Sequence, residues 1–272
     1  VAYFVGCTAR FIFPQVPRAF VNLMQKLGAS VYVFDQHCCG MPALLEGDRE
    51  RVISWVEDQI NRWVELIDDG YDLVCSCPTC SFMIRKVIPS GIARKELQSD
   101  HEGAVYVHPG LYGESPVGED YFTDIDPLKR IKVASSTYDA GEYIGQVLRG
   151  KKTNPDLSNA SLYENYIYFA PCHQREQKGG EHYIKLFTEL GIEGILTFKD
   201  SFACCGLGGI RGFSINYHDE SVAIGKKLMD RIAALKPRGI ITECLSCRIQ
   251  FEQLSDYDVL HPLEILDKVV SP

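Results

Sequence analysis

The chain has 272 residues, with 28 basic against 36 acidic side chains and a formal net charge of −8. Hydrophobic residues make up 46% and charged residues 24%, the balance of a globular chain large enough for two ordinary units or one two-lobed domain. The acidic balance, with no basic block to neutralise phosphates, argues against a nucleic-acid partner, and no apolar run approaches the roughly 18 residues that a membrane span needs. No secretion-signal pattern opens the chain. Val1 stands almost inside a strand-like run with no initiator Met, which leaves room for an upstream segment.

In chain order, residues 1–6 form a short apolar run ending in Gly6, which suits a buried strand that delivers Cys7. Val16, Phe20, Leu23, Met24 and Leu27 then make one apolar helical stripe, with Pro17 in its first turn and Gly28 at its end. Residues 31–34 read as a second strand, followed by Cys38-Cys39-Gly40. Asp48 can cap a long helix carrying Val52, Trp55, Val56, Ile60, Trp63, Val64 and Ile67, with both tryptophans on its core side. Residues 71–75 read as a third strand, and Cys77-Pro78-Thr79-Cys80 follows, leading into a short helix through Val87.

Residues 88–132 show no convincing period, apart from a strand-like run at 103–108, and read as an insertion: a surface excursion, or a loop that covers a site or docks a partner. A helical pattern resumes over 133–149. The second half repeats the plan. A strand at 166–170 delivers Cys172, and a helix spans 180–190. A strand at 195–198 precedes Cys204-Cys205-Gly206, and a helix spans 219–235. A strand at 239–242 precedes Cys244-Leu245-Ser246-Cys247, and a helical stretch at 260–270 mirrors 133–149.

Ten of the 11 cysteines therefore fall into one pattern used twice. The gaps within it are 30 and 37 residues in the first copy and 31 and 38 in the second. Each gap is one helix plus one strand, so the expected fold is α/β: two pseudo-symmetric Rossmann-like lobes with parallel sheets, from an internal duplication. The lobes are placed at 1–150, with the insertion at about 88–132, and at 151–272. In such sheets ligands sit outside the carboxyl ends of the strands, where three cysteine groups remote in sequence can meet.

Without a secretion signal, adjacent and C-x-x-C cysteines read as metal or redox ligands and not as disulfides. Zinc takes four ligands, one fewer than each half offers, although a spectator thiol would reconcile the count. An iron–sulfur cluster takes thiolates at several irons. Gly40 and Gly206 let backbone N–H groups approach such a cluster. Cys75, outside the repeat, reads as a buried thiol. His173, next to Cys172, reads either as a proton donor to a sulfur or quinone oxygen or as a capping residue. His37 is a weaker version of the same idea, and His261 reads as structural. Arg175, Lys178 and Arg211 are candidates to hold an anionic substrate, against a simpler reading as solvated loop charges. No G-x-G-x-x-G stands in a strand–turn–helix setting, so nothing points to flavin or nicotinamide binding by this chain.

These motifs resemble the cysteine-rich CCG-domain family. Its members include the B and D subunits of heterodisulfide reductase, the iron–sulfur subunit of anaerobic glycerol-3-phosphate dehydrogenase, and iron–sulfur subunits of lactate and glycolate oxidising systems. The stretches Tyr3-Phe4-Val5-Gly6-Cys7-Thr8 and Cys38-Cys39-Gly40-Met41-Pro42 are most similar to the dehydrogenase type and to the heterodisulfide reductase D type. The resemblance implies two [4Fe-4S] clusters of non-cubane form. Cys7, Cys38, Cys39, Cys77 and Cys80 would hold one, and Cys172, Cys204, Cys205, Cys244 and Cys247 the other, with zinc in one half as a variant some relatives show.

It also implies a cytoplasmic oxidoreductase subunit that meets a membrane only through its partners. Those partners would be flavin-bearing and other iron–sulfur subunits, with a quinone, a membrane cytochrome or a disulfide as acceptor. A catalytic disulfide reductase with substrate between the two clusters is the second reading, and a zinc-stabilised interaction module the third. No nucleic acid is expected as a partner.

Overall fold

The computed structural model describes residues 1–90, 121–149, 157–177, 181–200, 202–209 and 211–271. Strands β1 (Ala2–Phe4), β2 (Tyr32–Val33), β3 (Leu73–Cys75) and β4 (Thr137–Asp139) pair in the order β2-β1-β3-β4. Strands β5 (Tyr166–Tyr168), β6 (Leu196–Thr197), β7 (Gly239–Ile241) and β8 (Asp258–Leu260) repeat it as β6-β5-β7-β8. Every pair is parallel, with Tyr3 opposite Val74 in the first sheet and Tyr168 opposite Ile241 in the second. The fold is thus α/β with two Rossmann-like lobes. In this strand order the switch of winding direction falls between the first and third strands of each lobe, whose carboxyl ends carry the lone cysteine and the C-x-x-C.

The period-two alternation of a strand sorts its side chains onto two faces. In the first sheet Ala2, Phe4, Leu73 and Cys75 pack outward against α4 (Arg49–Asp68), whose Trp63 is fully buried. Trp55 on the same helix is only half-buried, with Arg51 over its ring. Asp48 caps α4 as expected, accepting from the Arg51 amide at 3.2 Å. The other face carries Tyr3 and Val74 into a core that the lobes share. Helices α2 (Gln15–Lys26) and α7 (Ala140–Arg149) of the first half lie there against α12 (Pro262–Val269) and α9 (His182–Glu189) of the second. Phe20, Leu23, Ile144, Tyr168, Leu186, Leu263 and Leu266 all belong to that core. The pairing is reciprocal, α2 with α12 and α9 with α7, as a duplicated unit packed about a pseudo-twofold axis requires. Outside the second sheet, Ile167, Phe169 and Ile240 pack on α10 (His218–Ala233) and α11 (Leu245–Leu254).

The structure corrects three expectations. The helix expected over 133–149 is instead the end of α6 (Pro127–Ser135), strand β4 and then α7. Likewise 260–270 is the end of β8 followed by α12, so each lobe has four strands and not three. Both extra strands have three residues, too few to show a period. Their pairing with β3 and β7 is a tertiary choice. Helix α6 lies inside the stretch read as aperiodic. Its signal was local, with Asp126 accepting from the Leu128 amide at 2.9 Å and Pro127 opening the first turn. The strand expected at 103–108 and the lobe boundary at 150 lie outside the described residues.

Candidate functional site

In the first half, Cys7 opens α1 (Cys7–Phe11) directly after β1 and Gly6. Cys38-Cys39-Gly40 leads into α3 (Met41–Leu45), and Cys77 is the residue before α5 (Pro78–Phe82). Helix α8 (Cys172–Glu176), the loop 203–206 and Cys244 before α11 repeat those positions in the second half. All eleven cysteines are free.

The thiols form a string in each half. Cys7 and Cys38 have their sulfurs 3.7 Å apart, well beyond a bonded pair. Cys38 donates to Cys39, and Cys80 donates to both Cys39 and Cys77. In the second half Cys204 and Cys247 both donate to Cys205, the latter at 3.0 Å, and Cys247 also reaches Cys244. Cys172 stands beside that string, pushed up to about 12 chiefly by burial. Among the described residues, no three His, Cys, Asp or Glu side chains close around one point as a single ion would need.

The second cysteine of each pair is the centre of its string. Two donated thiol protons, led by that of Cys38, hold Cys39 down at about 5. Those led by Cys204 hold Cys205 well below the usual thiol range. The donors Cys38, Cys80, Cys204 and Cys247 are raised by the same bonds read from the other side, and Cys7 is raised in turn by its bond to Cys38. Backbone amides add to the effect: Met41 N–H is directed at Cys39, Leu207 N–H at Cys205, and Gly206 N–H meets Cys204 Sγ at 3.3 Å. Gly40 and Gly206 make this approach with φ of 93° and 90°. Gly6 is needed for a second reason, because a Cβ there would stand 3.1 Å from Cys80 Sγ.

The two strings lie at the interface between lobes. Helix α5 packs on α8, and α1 on α11. His173 sits in the first of these contacts, its Nδ1 2.9 Å from Thr79 Oγ1 and its ring stacked on Phe82 at 4.9 Å and 7°. Burial lowers it to about 4 and keeps it neutral. The Gln177 amide donates to Pro78 O at 3.2 Å and Ser81 Oγ at 3.0 Å across the same contact. A Cβ on Gly209 would stand 2.9 Å from Leu45, so the loop after one cysteine pair touches the helix after the other.

The remaining candidates are placed as follows. Cys75 is fully buried, as expected. His261 is structural: it caps α12 and its Nε2 is 3.2 Å from Ser76 O. His37 is exposed, and its backbone amide donates to Gln59 Oε1 at 3.0 Å. Arg175 is neither a solvated charge nor open to substrate, because its guanidinium donates to the carbonyls of Ala170 and Ala203. Arg211 lies over the Tyr217 ring at 3.9 Å. Lys178 lies outside the described residues.

Sequence reading missed the groups that brace the C-x-x-C turns. Tyr3 bonds Ser76 at 2.7 Å and Tyr168 donates to Glu243 at 2.8 Å, each partner being the residue before a C-x-x-C. Superposing the two copies in sequence would have shown both tyrosines at the same place, four residues before the lone cysteine.

The profile of the cysteine-rich domain family called CCG matches residues 1–85 and 166–252, both copies of the pattern. The chain is 23% identical over 274 residues to the C subunit of anaerobic glycerol-3-phosphate dehydrogenase of Escherichia coli, covering 100% of this chain and 59% of that protein. It is 25% identical over 277 residues to lactate utilization protein A of an Exiguobacterium species, covering 99% and 98%. It is 24% identical over 281 residues to the B subunit of fumarate reductase (CoM/CoB) of Methanothermobacter marburgensis, covering 100% and 46%. The chain therefore spans about half the length of two of these relatives and nearly all of the third. Among the described residues no helix is long and apolar enough to cross a membrane.

Proposed function

The chain belongs to the cysteine-rich CCG domain family, and from that premise we propose that it is an iron–sulfur electron-transfer subunit of an oxidoreductase complex. The observation that carries this is that the five repeat cysteines of each half are free and gathered at the carboxyl ends of three adjacent parallel strands. Cys7, Cys38, Cys39, Cys77 and Cys80 hold one [4Fe-4S] cluster in this reading, and Cys172, Cys204, Cys205, Cys244 and Cys247 the other. Five sulfurs grouped in each half suit several irons, and the amides directed at Cys39 and Cys205 supply hydrogen bonds that such sulfurs accept. The fifth thiol, which a four-cysteine cubane does not need, supports the non-cubane form in this reading.

When bound, the clusters supply one-electron transfer, and the chain tunes them by burial and hydrogen bonding. The chain's own residues fix the ligands. Gly6 leaves room for the Cys80 sulfur, Tyr3 and Tyr168 brace the C-x-x-C turns, and Gln177 ties α8 to α5. Neutral His173, between the two cysteine-bearing helices, is the candidate proton-handling group. The names of the relatives support a dehydrogenase or reductase complex as the setting. Electrons would enter from a flavin-bearing partner and leave to a quinone, a cytochrome or a disulfide.

Anaerobic analysis of iron, sulfide and zinc, with EPR of both redox states, tests this. About eight irons and eight sulfides per chain are expected. Zinc with little iron would overturn the redox reading, and about four irons with one zinc would confine electron transfer to one half.

A further inference from the structure

The residue three positions after each lone cysteine is an arginine, Arg10 in the first half and Arg175 in the second. The two copies use it differently. Arg175 spends its guanidinium on the Ala170 and Ala203 carbonyls, closing the end of β5 against the loop before Cys204. Arg10 makes no such clamp and lies over the exposed Phe11 ring at 5.4 Å. It lines an open cleft of ≈570 Å³ at the carboxyl ends of β1 and β2, together with Arg18 of α2. That volume is in the range of small-molecule sites, and the place is where open parallel sheets take ligands.

Both guanidiniums are exposed, and neither has a carboxylate partner among the described residues. Two such arginines facing one cleft are notable in a chain of net charge −8. The other amide side chains of the lining are engaged: Asn22 donates to Asp267 at 3.3 Å, and Gln36 accepts from Gly6 N–H at 3.3 Å. Much of the wall is apolar, with Pro14, Pro17, Val33 and Phe34, and Asp35 is its acid.

We propose that this cleft binds a small molecule that carries a carboxylate or phosphate group on an apolar body, held by Arg10 and Arg18. Guanidinium forks match both oxyanions in a bidentate manner, and the apolar wall takes the body. Asp35 opposes a second negative group and favours a ligand with one. The Gln36–Gly6 contact places the cleft wall next to Cys7, so the bound anion sits beside the first thiol string. The inference rests on the cleft and its arginines and not on the cluster reading, so the binding test below stands whatever metal is found.

The test is calorimetric titration of the anaerobically purified chain with benzoate, phenyl phosphate and, as the neutral control, benzyl alcohol. At least one of the two anions should bind at a single site and the alcohol should not. The tighter anion tells a carboxylate ligand from a phosphate one. R10Q and R18Q should each weaken that binding about tenfold, and Asp35→Asn should strengthen it, with unchanged thermal midpoints as evidence of folding. Absence of binding by both anions, or equal binding by wild type and the R10Q/R18Q double variant, would overturn the proposal.

Discussion

The Tyr168 hydroxyl donates to Glu243 Oε1 at 2.8 Å, and the equivalent tyrosine of the first half, Tyr3, meets Ser76 at 2.7 Å. Both bonds are buried, and each ties the first strand of a lobe to the residue before its C-x-x-C. The chemistry differs, because Glu243 is a buried carboxyl pushed up to about 8, mainly by desolvation, and its Oε2 has no partner among the described residues. Tyr168→Phe therefore strips the hydroxyl donor from a buried carboxyl and should cost about 1–3 kcal/mol. Tyr3→Phe should cost only about 0.5–1.5 kcal/mol, since a serine hydroxyl is cheaper to leave unpaired. Urea unfolding of the two variants checks the order.

Asp139, at the end of β4, is buried with one oxygen accepting from Gly141 N–H at 2.9 Å, and desolvation raises it from 3.8 to about 6. A carboxyl raised on folding stabilises the protein while protonated. That contribution is complete below pH 4 and is lost as pH rises through about 6, at a cost on the order of 3 kcal/mol for a shift of about two units. His261, buried and lowered to about 3, acts with the opposite sign across the same range. The readout is therefore a difference: between pH 4 and pH 7 the stability of wild type should fall relative to that of Asp139→Asn. Parallel curves for the two proteins would contradict this.

Glycine at position 206 is fixed twice over. Its φ is +90°, and an added Cβ would collide with the Ser221 carbonyl oxygen. Gly206→Ala should cost at least about 2 kcal/mol, from the left-handed backbone penalty plus the contact. Gly6→Ala presses chiefly on the Cys80 sulfur, at 3.1 Å, with Cys77 Cβ at 3.9 Å and φ +77°. It should leave a folded chain whose first half holds less metal, measured as iron per chain against thermal midpoint.

If each string holds its own cluster, the middle cysteines separate the two sites. Cys39→Ser and Cys205→Ser should each remove about four of about eight irons, and the double variant nearly all. Cys75→Ser should retain them, because Cys75 points to the outer core on β3. Loss of all iron in either single variant would mean that the two halves load as one unit.

Arg175→Gln leaves the Ala170 and Ala203 carbonyls without their charged donor. A loss of about 1.5–3 kcal/mol is expected. Its counterpart Arg10→Gln should be neutral within about 0.5 kcal/mol, since its guanidinium clamps no carbonyl. Thermal and urea unfolding of this pair distinguish the clamp from the cleft-facing cation.

The sequence by itself determined the duplication, the parallel α/β plan and the placement of ten cysteines after strand ends. Each of these rests on a local signal: apolar runs that end in Cys, a stripe such as Val16 to Leu27, and spacings of one helix plus one strand. It also determined that Cys75 is buried and that His261 is structural. Tertiary structure alone decided what depends on partners remote in sequence. Thr137–Asp139 and Asp258–Leu260 are strands because β3 and β7 offer them backbone edges, not because three residues prefer it. Arg10 and Arg175 are the same residue at the same motif position, yet one faces a cleft and the other clamps two carbonyls. His173 stands beside a cysteine in sequence but docks on Thr79 and Phe82 of the opposite half. A motif specifies which side chains are present, whereas their hydrogen-bond partners are set by how the two copies pack against each other.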